Sequence, residues 1–271
     1  MSVVVSDWEV DLDRLGEIAL SESESYRSAD PFPHIVIDDF VDPTLLEKVL
    51  EEVSRADQAD WVSMGGSHQK KFSCGQTHQM GPATRRLINF MNGQEIIGFL
   101  EQLTGIKGLV ADWQLAGGGI HALRTGGFLN VHADFNVQQY LRLDRRINLL
   151  IYLNKDWKEE YGGGLELWDK GMTRRAQNIL PLFNRCVIFN TTDQSFHGNP
   201  QPVAAPGGRS RFSLAFYYYS NGRPAEETAD PHMTIFRKPK AEETFGDRVK
   251  STAKKFVPPI MVDALSALRK D

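Results

Sequence analysis

His132 and Asp134 stand two residues apart in GGFLNVHAD, and a third candidate ligand, His197, follows 65 residues later in FNTTDQSFHGNP. On a strand, residues i and i+2 project to the same face, so the imidazole and the carboxylate can converge on one ion. Two histidines and one carboxylate on one face of an ion leave three positions open. Fe(II) uses such a facial set to hold a chelating cosubstrate and dioxygen side by side. The bland reading of HAD is a turn in which Asp134 accepts backbone hydrogen bonds before Asn136. His34, His68, His78 and His232 have no companion at ligand spacing.

A second constellation follows the third ligand. Arg209, Ser210, Arg211, Phe212 and Ser213 lead into the apolar run LAFYYYS. A 2-oxoglutarate cosubstrate carries a distal carboxylate that needs a fixed, charged partner, and arginine supplies one bidentately. Arg211-x-Ser213 puts a guanidinium and a hydroxyl on the same strand face. Arg209 is a rival for the role, and both arginines also fit surface charges at a glycine-rich turn.

The elements that would position these residues read as follows. Ser21–Ser25 (SESES), running on to Pro31, reads as a solvated connection, and Ile35–Ile37 as a short strand. Asp42-Pro43 is a helix start, an N-cap acid before a first-turn proline. Leu45, Leu46, Val49, Leu50 and Val53 recur at helical spacing, which predicts an amphipathic helix from Asp42 to about Ala56. A second helical region covers Ala83–Leu103, with Gly105 to stop it.

From about Leu109 the pattern changes to short β-branched and aromatic runs between turn residues: Gly119–Leu123, Leu129–His132, Ile147–Leu153, Leu165–Trp168, Cys186–Asn190 and Phe212–Ser220. This predicts a mainly β fold, a sandwich or jelly roll buttressed by helices gathered at the N-terminal side. INLLIYLN lacks alternation, as a strand buried on both faces would. Helices are expected again near Ala241–Lys255 and Pro259–Leu268.

Composition narrows the class. A formal net charge of −4 over 271 residues gives no electrostatic reason to expect nucleic acid or an anionic membrane as partner. Two cysteines, Cys74 and Cys186, without CxxC spacing, argue against a disulfide framework and for a reducing compartment. The N-terminal MSVVVSDWEVDLDRL lacks the basic and long apolar regions of a secretory signal. No stretch approaches the roughly 18–20 apolar residues of a membrane span. The expected location is cytoplasmic.

In order, GGFLNVHAD, INLLIYLNKDW, GGGLELWD, VIFNTTDQSFHG and RFSLAFYYY resemble the catalytic core of the prolyl-4-hydroxylase-like Fe(II)/2-oxoglutarate-dependent oxygenases. The resemblance is close over Arg124–Ser220, and PFPHIVIDDF before a helix is similar to the family's opening segment. It implies a double-stranded β-helix (jelly roll) core supported by N-terminal helices, with a helical C-terminal tail. The corresponding division is an N-terminal extension over 1–30, a dioxygenase domain over 31–222 with its core at about 109–220, and an extension over 223–271. It also implies Fe(II) on His132, Asp134 and His197, with 2-oxoglutarate and O2 as cosubstrates. Tyr152 is then expected to bond the distal carboxylate beside Arg211 and Ser213; core packing is its bland alternative. Gly163 and Gly164 match a glycine pair that permits a tight turn. Asp134 argues for hydroxylation over halogenation, because the related halogenases lack that carboxylate.

Two departures stand out: HALRTGG, with Arg124, replaces the tyrosine-bearing sequence many relatives carry before HxD, and the interval from His197 to Arg211 is longer. The expected reaction is hydroxylation of an unactivated C–H in a prolyl residue, a free amino acid or another small-molecule or peptide substrate, with the oligomeric state open. His121, Arg124, Asn136, Gln138 and Trp168 are candidate lining residues or scaffold, and Glu159, Glu160 and Tyr161 belong to an exposed loop. The competing readings are a zinc hydrolase on the same three ligands and a non-catalytic jelly-roll binding protein.

Overall fold

The structure is a computed structural model that describes residues 9–56 and 61–240. The helices expected near Ala241–Lys255 and Pro259–Leu268 lie outside the described residues.

Four helices build the N-terminal side. The first, α1 (Leu12–Ser28), is capped by Asp11, whose side chain accepts from the Arg14 N–H at 3.0 Å. Its second half is SESES, which the sequence reading assigned to a solvated connection. The segment is polar because it faces water; Leu15, Ala19 and Tyr26 bury the opposite stripe at helical spacing. The Tyr26 hydroxyl, pushed far up in pKa by burial, donates to Asn190 Oδ1 at 2.7 Å and ties α1 to the sheet.

Helix α2 (Pro43–Arg55) begins where expected, with Asp42 accepting from the Leu45 N–H at 2.8 Å. The single helical region expected over Ala83–Leu103 is instead two helices, α3 (Pro82–Met91) and α4 (Gln94–Thr104). They break at Asn92-Gly93, where a Cβ on Gly93 would lie 2.9 Å from the Phe90 carbonyl oxygen. Gly81 offers α3 no side-chain cap, so Glu52 of α2 reaches across and accepts from the Ala83 and Thr84 N–H groups at 2.9 and 2.8 Å. Gly105 ends α4 at φ +79°, as expected.

The strands are β1 (His34–Ile37), β2 (Val62–Met64), β3 (Gln69–Cys74), β4 (Val110–Ala111), β5 (Gly119–Leu123), β6 (Phe128–Ala133) and β7 (Asp144–Tyr152). They continue as β8 (Leu165–Trp168), β9 (Arg175–Ile179), β10 (Cys186–Asn190), β11 (His197–Asn199), β12 (Arg211–Ser220) and β13 (Ile235–Phe236). Two antiparallel layers, β1-β10-β7-β12-β5-β3 and β3-β6-β11-β8-β9, share β3 and curl into the expected jelly-roll core. β3 pairs with β5 through Phe72–Cys74 and with β6 through Gln69 and Lys70, so it turns the corner between the layers. Neither β3 nor β2 stood out in sequence, because QKKFSC has too little apolar content to read as a strand.

Residue alternation on β12 fixes which side is which. Phe212, Leu214, Phe216 and Tyr218 join Leu46, Leu87, Met91 and Leu100 of the helices in the main apolar core. Arg211, Ser213, Ala215, Tyr217 and Tyr219 face the other way, into the space between the layers. β7 is buried along nearly its whole length, as INLLIYLN suggested.

Asn184 holds the corner before β10 at φ +63°. Its side chain accepts from the Val41 N–H at 2.8 Å and donates to the Val41 carbonyl at 2.7 Å, all within the core. Asn184→Ala strands both Val41 groups and should cost about 2–4 kcal/mol, measured by urea unfolding.

Candidate metal and cosubstrate site

β6 and β11 run side by side with His132 directly opposite His197, and the two rings lie 4.5 Å apart. Asp134 follows β6 immediately. One ligand atom from each of the three side chains can be chosen so that all lie within 4.8 Å of one another. The spacing argument for HxD therefore holds in space, and the third histidine is the one expected.

The imidazoles are oriented from behind. His132 Nδ1 contacts the Asn130 carbonyl at 2.8 Å and His197 Nδ1 the Ser195 carbonyl at 2.9 Å. A carbonyl can only accept, so both Nδ1 atoms are protonated, which leaves each Nε2 as the nitrogen turned to the site. Burial holds His197 down at about 4 in pKa, which keeps the ring neutral and ready to ligate.

Burial alone would raise the Asp134 carboxyl, but the Arg145 guanidinium holds it well below the usual carboxylate range. Arg145 lies 3.1 Å from Asp134 Oδ2, and the Asn148 amide donates to the same oxygen at 2.7 Å. Arg145 is itself buried, donates twice to Asn148 Oδ1, and lies 3.5 Å from the Tyr217 ring centroid and 4.5 Å from that of Phe135. Sequence reasoning missed Arg145 and Asn148. The signal was a polar Asn inside the buried run INLLIYLN, preceded by two arginines.

The second constellation lies on the facing layer. Ser213 pairs with Tyr152 of β7 on one side and with His121 of β5 on the other, and His121 pairs with Ser73 of β3. These four make one row across the inner face; Arg211, two residues from Ser213, belongs to the next row. Arg211 donates to Ser213 Oγ at 3.1 Å, and its guanidinium lies 4.7 Å from the Tyr152 ring centroid. Among the described residues, the Tyr152 hydroxyl and Arg211 Nε are the buried side-chain polar atoms without a hydrogen-bond partner. Two orphaned donors in one buried corner fit a ligand carboxylate. Arg209 is elsewhere: exposed, it donates to the Lys155 carbonyl and lies 5.6 Å from the Trp157 ring centroid.

The remaining candidates divide. His121 belongs to the inner row, and burial holds its pKa well below the ordinary histidine value. Arg124 lies over the Phe72 ring at 4.2 Å. Asn136 is scaffold: it donates to the Asp230 carbonyl and accepts from the His232 N–H, both at 2.9 Å. Gln138 accepts from the Leu141 N–H at 2.6 Å within its own loop. Trp168 packs on the far side of its layer with Val131, Ala133, Met172 and Phe196. Glu159, Glu160 and Tyr161 form a short 3-10 turn, with both glutamates exposed. Gly163 takes φ +69° in the expected tight turn.

One inner-face residue had no sequence signal at all. Lys71 of β3 projects to the same side as Ser73. Burial is the main cause that brings its amine down to about 8 from 10.5, with Asp134 opposing the shift and Arg145 and Arg211 adding to it. That displacement corresponds to a penalty on the order of 3 kcal/mol, at about 1.4 kcal/mol per pH unit. Below about pH 8 the amine is charged in both folded and unfolded chains, and the penalty is present in full. Between about 8 and 10.5 the unfolded chain keeps a proton that the folded one has lost, so this contribution to stability rises with pH. Lys71→Met should therefore stabilise the metal-free protein below pH 8, with the gain shrinking towards pH 10.5, as read by paired melting curves across that range.

The chain matches the family model of the 2OG-Fe(II) oxygenase superfamily over residues 118–219, a span that holds His132, Asp134, Tyr152, His197, Arg211 and Ser213. None of the curated proteins compared with the chain matches it. Among solved structures it is similar to a prolyl hydroxylase from Trichoplax adhaerens in complex with a hypoxia inducible factor oxygen degradation domain peptide, at TM-score 0.56 and 16% identity over 77% of this chain and 92% of that one. It is similar to a Pseudomonas putida prolyl-4-hydroxylase at TM-score 0.51 and 16% identity, over 77% of this chain and 100% of that one. It is also similar to the non-heme alpha ketoglutarate dependent epimerase SnoN from nogalamycin biosynthesis, at TM-score 0.51 and 14% identity, over 88% and 98%. At these identities the likeness is one of fold. The family match, over the strands that carry the site, marks residues 118–219 as a 2OG-Fe(II) oxygenase core, the catalytic part of enzymes whose metal is Fe(II) and whose cosubstrate is 2-oxoglutarate.

Proposed function

We propose that this oxygenase is a hydroxylase of an unactivated C–H in an amino-acid-like or other small-molecule or peptide substrate, with His132, Asp134 and His197 holding Fe(II). Arg211, Tyr152 and Ser213 would hold the distal carboxylate of 2-oxoglutarate. The observation that carries the reading is the pair of orphaned donors, Tyr152 Oη and Arg211 Nε, buried beside the Ser213 hydroxyl. A zinc hydrolase on the same ligands would have no use for that corner.

Bound Fe(II) and 2-oxoglutarate would together activate O2, the oxidant: one oxygen atom would enter succinate as CO2 is lost from the cosubstrate, and the other would enter the substrate C–H as a hydroxyl. The chain's own residues bind, orient and exclude water. His132 and His197 present Nε2 because Nδ1 is committed to a carbonyl. Asp134 stays ionised because Arg145 and Asn148 hold Oδ2. Phe189 sets its ring edge-on to His197 at 4.7 Å, and Phe236 of β13 lies 5.5 Å from His132, so apolar rings flank the ligands. Asp134 supplies a carboxylate where halogenases have none, which favours hydroxylation.

Succinate formation from 2-oxoglutarate, followed after oxygen reaches the anaerobically Fe(II)-loaded protein, tests this reading. His132→Ala should abolish turnover. Arg211→Met should raise the KM for 2-oxoglutarate about 10- to 100-fold, the value of a charge-assisted hydrogen-bonded pair, and Tyr152→Phe about 3- to 10-fold. Absence of both turnover and the joint Fe(II)–2-oxoglutarate charge-transfer absorption would sink the assignment of these residues.

A further inference from the structure

Tyr140, 85% exposed in the loop between β6 and β7, and Met233, 64% exposed just before β13, are far apart in sequence but line one open cleft of about 200 Å3. Ala116, Gly117, Phe135 and Val137 complete the apolar part of its lining, two glutamines supply amides, and no charged side chain belongs to it. Exposed apolar side chains that stand singly need no explanation, whereas a contiguous uncharged set marks a surface that binds something.

Polar bonds behind the cleft fix its walls. Gln138 accepts from the Leu141 N–H at 2.6 Å, and its backbone N–H and carbonyl bond Leu143 and Arg142, both at 2.9 Å, so the loop that carries Tyr140 is closed on itself. Asn136 grips the Asp230 carbonyl and the His232 N–H, and His232 Nε2 meets Asp193 Oδ1 at 2.7 Å. Met233, the next residue, is thereby set against Gln139, whose amide lies 3.1 Å from its sulfur.

Two of the walls rest on the interior that holds the metal ligands. Phe135 directly follows Asp134, packs with Tyr217 and Tyr219, and has its ring 4.5 Å from the Arg145 guanidinium, which lies 3.1 Å from Asp134. The Gly117 carbonyl accepts from the Tyr217 hydroxyl and from His121 Nε2, both at 2.9 Å. This continuity selects the occupant: a molecule that presents a C–H to His132, Asp134 and His197 has the cleft beside it. The lining defines the chemistry. A charged group would lose hydration there without gaining a partner, while an apolar one exchanges water for Phe135, Val137, Tyr140 and Met233. Cavities of roughly 150 Å3 take up benzene, so this volume suits a leucyl or phenyl group.

We propose that the cleft between the β6–β7 loop and Met233 is a substrate subsite, which takes an uncharged aliphatic or aromatic group of about leucyl to phenyl size carried by the molecule that reacts at the metal. This rests on the hydroxylase reading and narrows it to substrates with such a group. Seated there, the group anchors the molecule at one end, and a C–H elsewhere on it is left to reach the ligands.

The test reads the cleft through the Met233 methyl group, in full-length protein labelled with [methyl-13C]methionine. 4-Fluorotoluene should move the Met233 signal saturably in the millimolar range, while Met91, buried in the core, stays still. Its charged counterparts, 4-fluorobenzoate and 4-fluorobenzylammonium, should bind about tenfold or more weakly. Val137→Glu, a charge placed in the lining, should weaken 4-fluorotoluene about tenfold; should that variant not fold, Tyr140→Ala, at an exposed position, should weaken it about threefold. With Mn(II) added, the 19F signal of the bound probe should relax faster than in the His132→Ala protein given the same Mn(II).

Equal binding of all three probes, no response of Met233, or an affinity unchanged by the substitutions would each overturn the proposal. So would a Met233 signal that follows protein concentration and not the probe, since a second copy of the chain would then cover the cleft. A bound probe that Mn(II) leaves untouched would overturn it too, since the cleft would then serve another partner. If the wild type does not bind Mn(II), the failure falls on the assignment of the three ligands, and the metal-free titration still decides whether the cleft takes an apolar group.

Discussion

All ten positions of β12 are buried, yet its two faces meet unlike surroundings. One side gives Phe212, Leu214, Phe216 and Tyr218 to the apolar core beneath the helices; the other gives Arg211, Ser213, Tyr217 and Tyr219 to a polar interior. A slip of one residue against β7 would drive the Arg211 guanidinium into hydrocarbon and turn Phe216 into the pocket. The register is thus pinned from both sides, and the rest of the site follows from it. Tyr152 meets Ser213 because of that register, and His121 and Ser73 complete the row for the same reason.

The interior that β12 closes is polar by composition. Its central carboxylate, Asp134, stays ionised because a guanidinium and an amide share one oxygen. That guanidinium is held flat against Tyr217, whose own hydroxyl donates to the Gly117 carbonyl at 2.9 Å. Arg145 is therefore positioned by packing and hydrogen bonding before it meets Asp134. Sites held on strands with their supporting partners locked in this way lose little geometry to thermal motion.

The fold leaves the reaction open. Prolyl hydroxylases and an epimerase are both similar to this chain in backbone at 14–16% identity, so the chemistry has to be argued from side chains. Here those side chains include contributions from well outside the family match. Lys71 comes from β3 before it, and Phe236 comes from β13 after it, where β13 pairs with β6 at His132. Asn136 fastens that later segment by gripping Asp230 and His232. A residue from beyond the matched span thus stands against one of the site histidines, Phe236 at 5.5 Å from the His132 ring.

What could be read in the sequence was whatever depends on short spacing. Arg-x-Ser on a strand and the apolar run of β7 follow from the period of two, Asp-Pro before a helix follows from capping, and each is seen in the structure; HxD brings its two side chains together although Asp134 lies just past the end of β6. The reading failed where a segment's polarity reported only its exposed side, as for SESES in α1, or where a glycine split one apolar pattern into two helices at Gly93. Arg145, Asn148 and Lys71 were beyond it for another reason. Their roles arise from neighbours brought together by β-pairing across the corner between two layers, and Coulomb and desolvation terms depend on those distances and on the burial around them. Side-chain type and spacing are properties of the chain; the environment that sets the Arg145 guanidinium against the Asp134 carboxylate exists only once the sheet has closed.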